Sequence, residues 1–415
     1  MWPVRKNAPD APALRGKLLL KIQSAQSRHS DVEHRTRGDG RRILVEKLNA
    51  VTFNPPDRTG PIAGFPYQLF IVHNDDTYPN LVRLFRELAV RTQPSEMSFS
   101  VACERHDLEY SGSRPPLTRL TFEIARFLRL GSRALDDPRS ADWSLSRYVA
   151  EEGYSPRFRD HFLVPLCAAL WSTAPSQTLD FPLVYAVRFL ANHGILGFRR
   201  LRWRTVTGGS RSYVSALSER LRINLATEVR TIRRLENGVE LRLAGDELRH
   251  FDGVVVATHA DQALRLLEDP SDDERRLLGL FGTTENDTVL HTDERFLPRR
   301  VSTRGSWNYQ LRDCGCDDGR PTMTYYLNKL QRLDEDEHYC VTLNRTAEID
   351  PARIIRRFSY RHPLVTHDSM RAQQELPRLN GPRRTAFAGA WQGYCFHEDG
   401  LRSGVAAAAA FGASW

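Results

Sequence analysis

Near the C-terminal end of this 415-residue chain, one stretch concentrates residue types that can do chemistry: FAGAWQGYCFHEDGLRSG, residues 387–404. Ala386-Phe387-Ala388 reads as a short buried strand, and Gly389 lets the backbone turn tightly with nothing projecting. Residues 393–400 read as a polar loop carrying His397, Glu398 and Asp399, which opens onto an Ala-rich helix from about Leu401. A helix N-terminus offers amides without intrahelical acceptors and about half a positive charge. Such a site suits a phosphate, or the N1–C2=O edge of a reduced flavin, where negative charge develops. Glu398 and Asp399 equally suit the plain task of capping that helix. Spacing alone leaves the two readings open.

The elements that must position this loop alternate along the chain. Residues 68–73 form an apolar run of strand length, and Pro79 starts a helix with Leu81, Leu84, Phe85 and Leu88 on one face. Met97, Phe99 and Val101 alternate with small polar residues, predicting a hairpin with Leu108 and Tyr110. Residues 117–196 read as mostly helical, with Phe122, Ala125, Phe127 and Leu128 on one spacing and Tyr185, Phe189 and Leu190 on another. Thr207-Gly208-Gly209-Ser210 is a turn before a helix over 213–221. Strands follow at 223–225, 228–232 and 239–243, the last two joined at Asn237-Gly238. The run 252–258 is continuous and apolar, as in a strand buried on both faces, and Met323 to Leu327 is another strand.

Composition excludes several classes. Apolar content of 40% and charged content of 27% fit a globular protein, and no apolar run reaches the roughly 18 residues of a membrane span. Leu18–Leu20 is too short for a signal-peptide core, so a cytoplasmic protein is expected. Residues 1–60 hold twelve Lys/Arg and six Asp/Glu, so +6 of the formal +8 belongs to this tract and nucleic-acid binding is not expected. The six cysteines are scattered apart from Cys314-Gly-Cys316, which is poor zinc geometry, and no His/Asp/Glu set shows ligand spacing; no metal is expected.

Residues 387–404 resemble the flavin-contacting motif of a bacterial subgroup of amine-oxidase-like FAD-dependent oxidoreductases, whose loop reads GYGFHEDG. Cys395 here stands where that loop has glycine. Other segments agree in order over residues 69–415: His73-Asn74 with Thr77 to Leu81, Met97 to Ser100, Trp171-Ser-Thr173, Leu179 to Pro182, Asn192-His-Gly194, Trp203 to Tyr213, Ala257 to Ala263, Ser306 to Tyr309, and Leu327 to Gln331. The resemblance implies FAD as cofactor. It implies ring-side contacts from Gly389, Ala390, Phe396, His397, Glu398, Asp399 and Gly400, with His397 as the candidate catalytic residue. It places Gly208 and Gly209 before a helix lining the flavin site, Val229 beside the adenine, and Ala257 and Thr258 near the dinucleotide. Asn308, Tyr309 and Asn328 then line a substrate cavity, while His259 and His291 equally suit structural roles. Taken singly, each also reads as a turn or core residue.

One expected part is missing. The family opens with strand–GxGxxG–helix, whose glycines admit the pyrophosphate, and no GxGxxG occurs in this sequence. Pro3, Pro9, Pro12, Pro55 and Pro56 interrupt residues 1–68, which show one convincing strand, at 42–46 after Gly38-Asp-Gly40. Either the true N-terminus has been replaced, for example by a frame error, or the dinucleotide site has been lost. The expected fold is α/β, an incomplete Rossmann-like FAD-binding domain with an α+β substrate domain (mixed sheet plus helical cap). Its parts are a poorly ordered tract at 1–68, hairpin and cap at 69–200, FAD-domain segments at 201–265 and 381–415, and a mixed sheet at 266–380. The expected activity is hydride transfer from a small or lipid-like substrate to flavin; the alternative is a catalytically inactive relative.

Overall fold

The computed structural model describes residues 18–22, 72–116, 118–197, 201–224, 227–312 and 319–415, the first of these by backbone alone. The strand expected at 42–46, the turn at 38–40, most of the run 68–73, Leu225 and the pair Cys314/Cys316 lie outside the described residues.

Val254, Val255 and Val256 are fully buried, and they set the first layer. Their strand, Gly253–Ala257, is the centre of a three-stranded parallel sheet between Leu18–Ile22 and Thr385–Phe387. Alternation sends Val254 and Val256 into one cluster with Phe387 and Trp391, and Val255 into another with Ala386 and Ala407. A strand covered on both faces carries no polar alternation, which is why it reads as one apolar run. The outer strand Leu18–Ile22 was not foreseen from the N-terminal sequence. Beside this sheet lies an antiparallel one, Val229–Leu235, Gly238–Leu243 and Leu248–Phe251. Its turn needs glycine at 238, where a Cβ would lie 2.6 Å from the Phe251 carbonyl oxygen.

The second layer is a seven-stranded mixed sheet in the order Ile354–Pro363, Thr283–His291, Cys340–Leu343, Met323–Tyr326, Trp307–Leu311, Phe99–Cys103, Leu108–Ser111. Only the pairing of Trp307–Leu311 with Phe99–Cys103 is parallel. Helices between Arg119 and Asn192 cover one face and share its core. Phe127 sits at the centre of that cap, with the rings of Tyr148, Tyr154, Phe158 and Phe162 about it. The face expected for this helix is rotated: Leu120, Glu123 and Phe127 are buried, whereas Phe122 is 77% exposed and Ala125 is exposed. Glu123 is drawn inward because its carboxylate accepts from the amide and hydroxyl of Ser155. Among the described residues no helix is long and apolar enough to cross a membrane.

Candidate functional site

The parallel strands end on one side at Ala257-Thr258 and at Gly389, the edge where open α/β sheets hold ligands. The indole N–H of Trp391 donates to the Thr258 carbonyl at 3.0 Å, pinning the two strand ends together. Gly389 is required there, because a Cβ would stand 2.2 Å from Trp391 Nε1. Its amide donates to Ser403 Oγ at 2.9 Å, which ties the strand end to the final helix.

That helix spans His397–Ala409, so it begins four residues before the expected Leu401. His397, Glu398 and Asp399 form its first turn rather than a loop. The early start follows from Asp399, whose carboxylate reaches back to the Phe396 amide at 3.1 Å and also binds Arg402. Burial pushes the Asp399 carboxyl up, and Arg402 with the amides of Phe396 and Tyr394 pulls the other way. Glu398 caps a different helix. Its oxygens accept from the Asn80 amide at 3.1 Å, the Asn80 side chain at 2.6 Å and the Leu81 amide at 3.0 Å, at the start of Pro79–Glu87. Both carboxylates therefore organise helix ends, and the first turn bearing His397 is held from two sides. Gly393 makes room for Asp399, since a Cβ would meet its Oδ1 at 2.2 Å; Gly400 packs on Ala390 at ordinary contact distance. Cys395 adopts φ +71°, the left-handed conformation that accounts for glycine in the resembled loop.

Gly208 and Gly209, both at φ +77°, turn the chain into the helix Arg211–Ser218. Tyr213 on that helix is buried and places its hydroxyl 3.3 Å from His397 Nε2. Beside this pair lies a small cavity of about 10 Å³, lined by Val72, His73, Phe85, Thr205, Val206, Gly209, Ser210, Tyr213, Gln331 and His397. Burial, with His73 nearby, pushes the His397 imidazole down to about 3, and burial holds His73 at about 4. Burial raises the Tyr213 hydroxyl to about 12. No Asp, Glu, Lys or Arg is among the lining residues, so the wall is uncharged at neutral pH.

The structure thus brings Gly209 and His397 together, with Gly208 in the adjoining turn. His73, Ser210, Tyr213 and Gln331 join them without having been singled out, although each lies in or beside a segment that carried the resemblance. Val229 opens its strand at a register shift, inside the core between the two smaller sheets. Asn308 is committed to the mixed sheet: its side chain accepts from Ser100 Oγ and the Gly305 amide and donates to the carbonyls of Gly305 and Thr324. Tyr309 is in the core beneath the cap, and Asn328 holds the chain at Glu335, Glu337 and Tyr339. None of these lines the cavity beside His397. His291 is structural; the Asp293 amide donates to its Nδ1, so the neutral ring donates from Nε2 to Thr342 Oγ1 at 2.7 Å. His259 caps the helix Ala260–Leu266.

The family described as flavin-containing amine oxidoreductase matches residues 70–411. The chain belongs to that family. No curated protein matches its sequence. Among solved structures it is similar to a putrescine oxidase redesigned in its cofactor binding, with 14% identity and a TM-score of 0.64 over 89% of this chain and 93% of that one. It is also similar to cyclohexylamine oxidase from Brevibacterium oxydans, 15% identical with a TM-score of 0.63 over 89% and 93% of the two chains. A CLA-producing fatty acid isomerase from P. acnes is 13% identical with a TM-score of 0.62 over 87% and 90%. Likeness at these identities is likeness of fold. FAD is the cofactor of this flavoenzyme family.

In this amine oxidoreductase an uncharged cavity, a left-handed glycine pair and a helix start meet at Gly209 and His397. The N-terminal strand Leu18–Ile22 lies parallel to Gly253–Ala257, as an opening Rossmann strand would. The sequence after it, Gln23-Ser-Ala-Gln-Ser-Arg-His29, contains no glycine.

Proposed function

We propose that this chain is an FAD-dependent oxidoreductase acting on a small or lipid-like substrate. The observation that carries the proposal is the uncharged cavity between the glycine turn and the His397 helix, inside an amine oxidoreductase fold. When bound, FAD would supply the acceptor for a hydride from substrate. Gly208 and Gly209 leave space for a ring to approach the backbone, and Gly389, Ala390, Phe396 and Gly400 shape the side facing the strand ends. The His397 helix directs its positive end toward developing negative charge. His397 itself acts as a neutral hydrogen-bonding residue held by Tyr213, because a ring that protonates only near pH 3 carries no proton to donate as an imidazolium. Glu398 and Asp399 serve as positioning residues through the two helix ends. Ala257, Thr258 and Val229 are assigned to the dinucleotide side.

Substrate is assigned to the face of the mixed sheet under the helical cap, where Tyr309 and Trp307 lie on one side of their strand. Trp307 Nε1 is buried and, among the described residues, has no hydrogen-bond partner. A buried donor without an acceptor costs about 1–3 kcal/mol, which a substrate carbonyl, carboxylate or amine lone pair would recover. The relatives named above are oxidases of putrescine and cyclohexylamine and an isomerase of fatty acid, so both amines and lipids belong in the test panel. The protein is reconstituted with FAD, and anaerobic bleaching of the visible flavin band is followed for primary amines and long-chain fatty acids. Bleaching by one class supports the proposal and names the class.

A second reading, an inactive relative, rests on the glycine-free sequence after Leu18–Ile22. A folded protein that takes up no FAD under saturating conditions establishes that reading and removes the first.

A further inference from the structure

Away from the cavity, two elements of the substrate side meet at a cluster of soft and borderline ligands. Cys103 ends the strand Phe99–Cys103, and His106 follows three residues later on the hairpin turn before Leu108–Ser111. His161 comes from the cap, on the π-helical segment Arg159–Leu163, a local widening often found at functional positions. One ligand atom from each of the three residues lies within 4.8 Å of the other two. Cys103 Sγ is 3.6 Å from His106 Nδ1, and the two imidazole rings meet edge to face at 5.3 Å.

We propose that Cys103, His106 and His161 form a Zn²⁺ site that fastens the sheet hairpin to the helical cap. A thiolate with two imidazoles selects zinc over the hard cations magnesium and calcium. Zinc takes Cys sulfur at about 2.3 Å and His nitrogen at about 2.0–2.1 Å in a tetrahedron, so neighbouring ligand atoms stand roughly 3.5 Å apart. The Cys103–His106 pair already has that separation, and the third ligand needs a closure of about 1 Å. His106 is exposed on the turn, so the site opens to solvent. Three protein ligands leave the fourth position to water.

The surroundings of His161 suit ligation. Its Nδ1–H donates to the Arg157 carbonyl at 3.2 Å, since a carbonyl can only accept. With the proton on Nδ1, the lone pair of the ring resides on Nε2. An imidazole oriented by a backbone carbonyl through its other nitrogen is the usual supporting arrangement at metal centres. The Tyr110 hydroxyl donates to the His161 carbonyl, so hairpin and π-turn are already joined beside the cluster. On binding, Cys103 loses its thiol proton to solvent and forms the S–Zn bond, while both imidazoles donate lone pairs. No local spacing marks this set beyond Cys103-Glu-Arg-His106, because its third member belongs to another element.

The test is cobalt titration of the full-length, metal-stripped protein, read as a difference spectrum against the same protein without metal. One Co²⁺ per chain is expected, with a thiolate-to-cobalt charge-transfer band and tetrahedral visible bands, bleached by equimolar Zn²⁺. Cys103→Ser removes the charge-transfer band. His106→Gln, at an exposed position with little bearing on folding, weakens affinity by at least about 10-fold and decides the matter if Cys103→Ser does not fold. The double variant Cys314→Ser/Cys316→Ser keeps the band. Absence of a thiolate band in the unaltered protein, its survival in Cys103→Ser, its loss in the Cys314/Cys316 double variant, or unchanged affinity in His106→Gln would overturn the proposal.

Discussion

The parallel-sheet layer and the mixed-sheet layer of this molecule, proposed as its cofactor side and substrate side, are stabilised by different means. Around the parallel sheet, backbone geometry dominates: three fully buried valines, glycines at 208, 209 and 389, and two carboxylates that cap helices. Across the mixed sheet, buried side-chain hydrogen bonds dominate. His291 meets Thr342, Thr342 meets Thr324, Asn308 gathers Ser100, Gly305 and Thr324, and Asn286 meets Ser172, His362 and Asn344. The first kind of order tolerates a ligand approaching the backbone. The second makes a rigid wall.

The sharpest test of this contrast is charge burial, which the cofactor side uses once on a large scale. Arg234 is buried with Glu274 at 2.5 Å and Asp269 at 2.9 Å, and Glu274 also caps its own helix through Ser271. Arg234→Leu leaves Glu274 unpaired in the interior, and chemical denaturation should show a loss of about 3–5 kcal/mol. A loss under about 1 kcal/mol would mean that this side rests on its hydrophobic core alone.

Acid should strike both sides. Burial holds His73, His291 and His362 at about 4 and His397 at about 3, whereas an unfolded imidazole titrates near 6.5. Below pH 6.5 the unfolded chain binds more protons, so stability present above that value drains away as pH falls toward 4. Urea midpoints at pH 7 and pH 5 should differ by the equivalent of about 2 kcal/mol for each ring, about 7 kcal/mol for all four. Equal midpoints would show that these rings reach water in the folded state.

On the substrate side, Thr342→Val severs the His291–Thr342–Thr324 chain and orphans the His291 N–H. A loss of about 1–3 kcal/mol is expected from denaturation; an unchanged midpoint would remove the side-chain network as the basis of the wall's rigidity. The smallest effect has the opposite sign. Cys395 pays a left-handed penalty at φ +71°, and Cys395→Gly should gain about 1 kcal/mol in thermal unfolding. Destabilisation would mean that the packing of the Cys395 thiol against Tyr185 outweighs backbone strain.

The same contrast explains what was legible. Gly208-Gly209, Asn237-Gly238, the apolar run of Val254 to Val256 and the motif at 387–404 state backbone requirements within a few adjacent residues, and each was readable. The start of the last helix was misplaced because Asp399 works backward on Phe396, a cap that spacing alone did not separate from a ligand role. The buried face of Arg119–Leu130 was misjudged because Glu123 enters the core to bind Ser155, so a polar residue occupies an inward position and Phe122 turns out. Asn308 and Asn328 looked like substrate residues; their partners lie on other strands and loops, where no periodicity reports them.

By itself, then, the chain's order of residues determined family, cofactor and the glycine-bearing turns, since these depend on conformations that one or two neighbours impose. Tertiary structure alone decided that His397 faces Tyr213, that Glu398 serves a helix at the far end of the chain, and that Cys103, His106 and His161 converge. Those contacts join residues far apart in sequence, and only the packing of sheet, cap and final helix sets the distances between them.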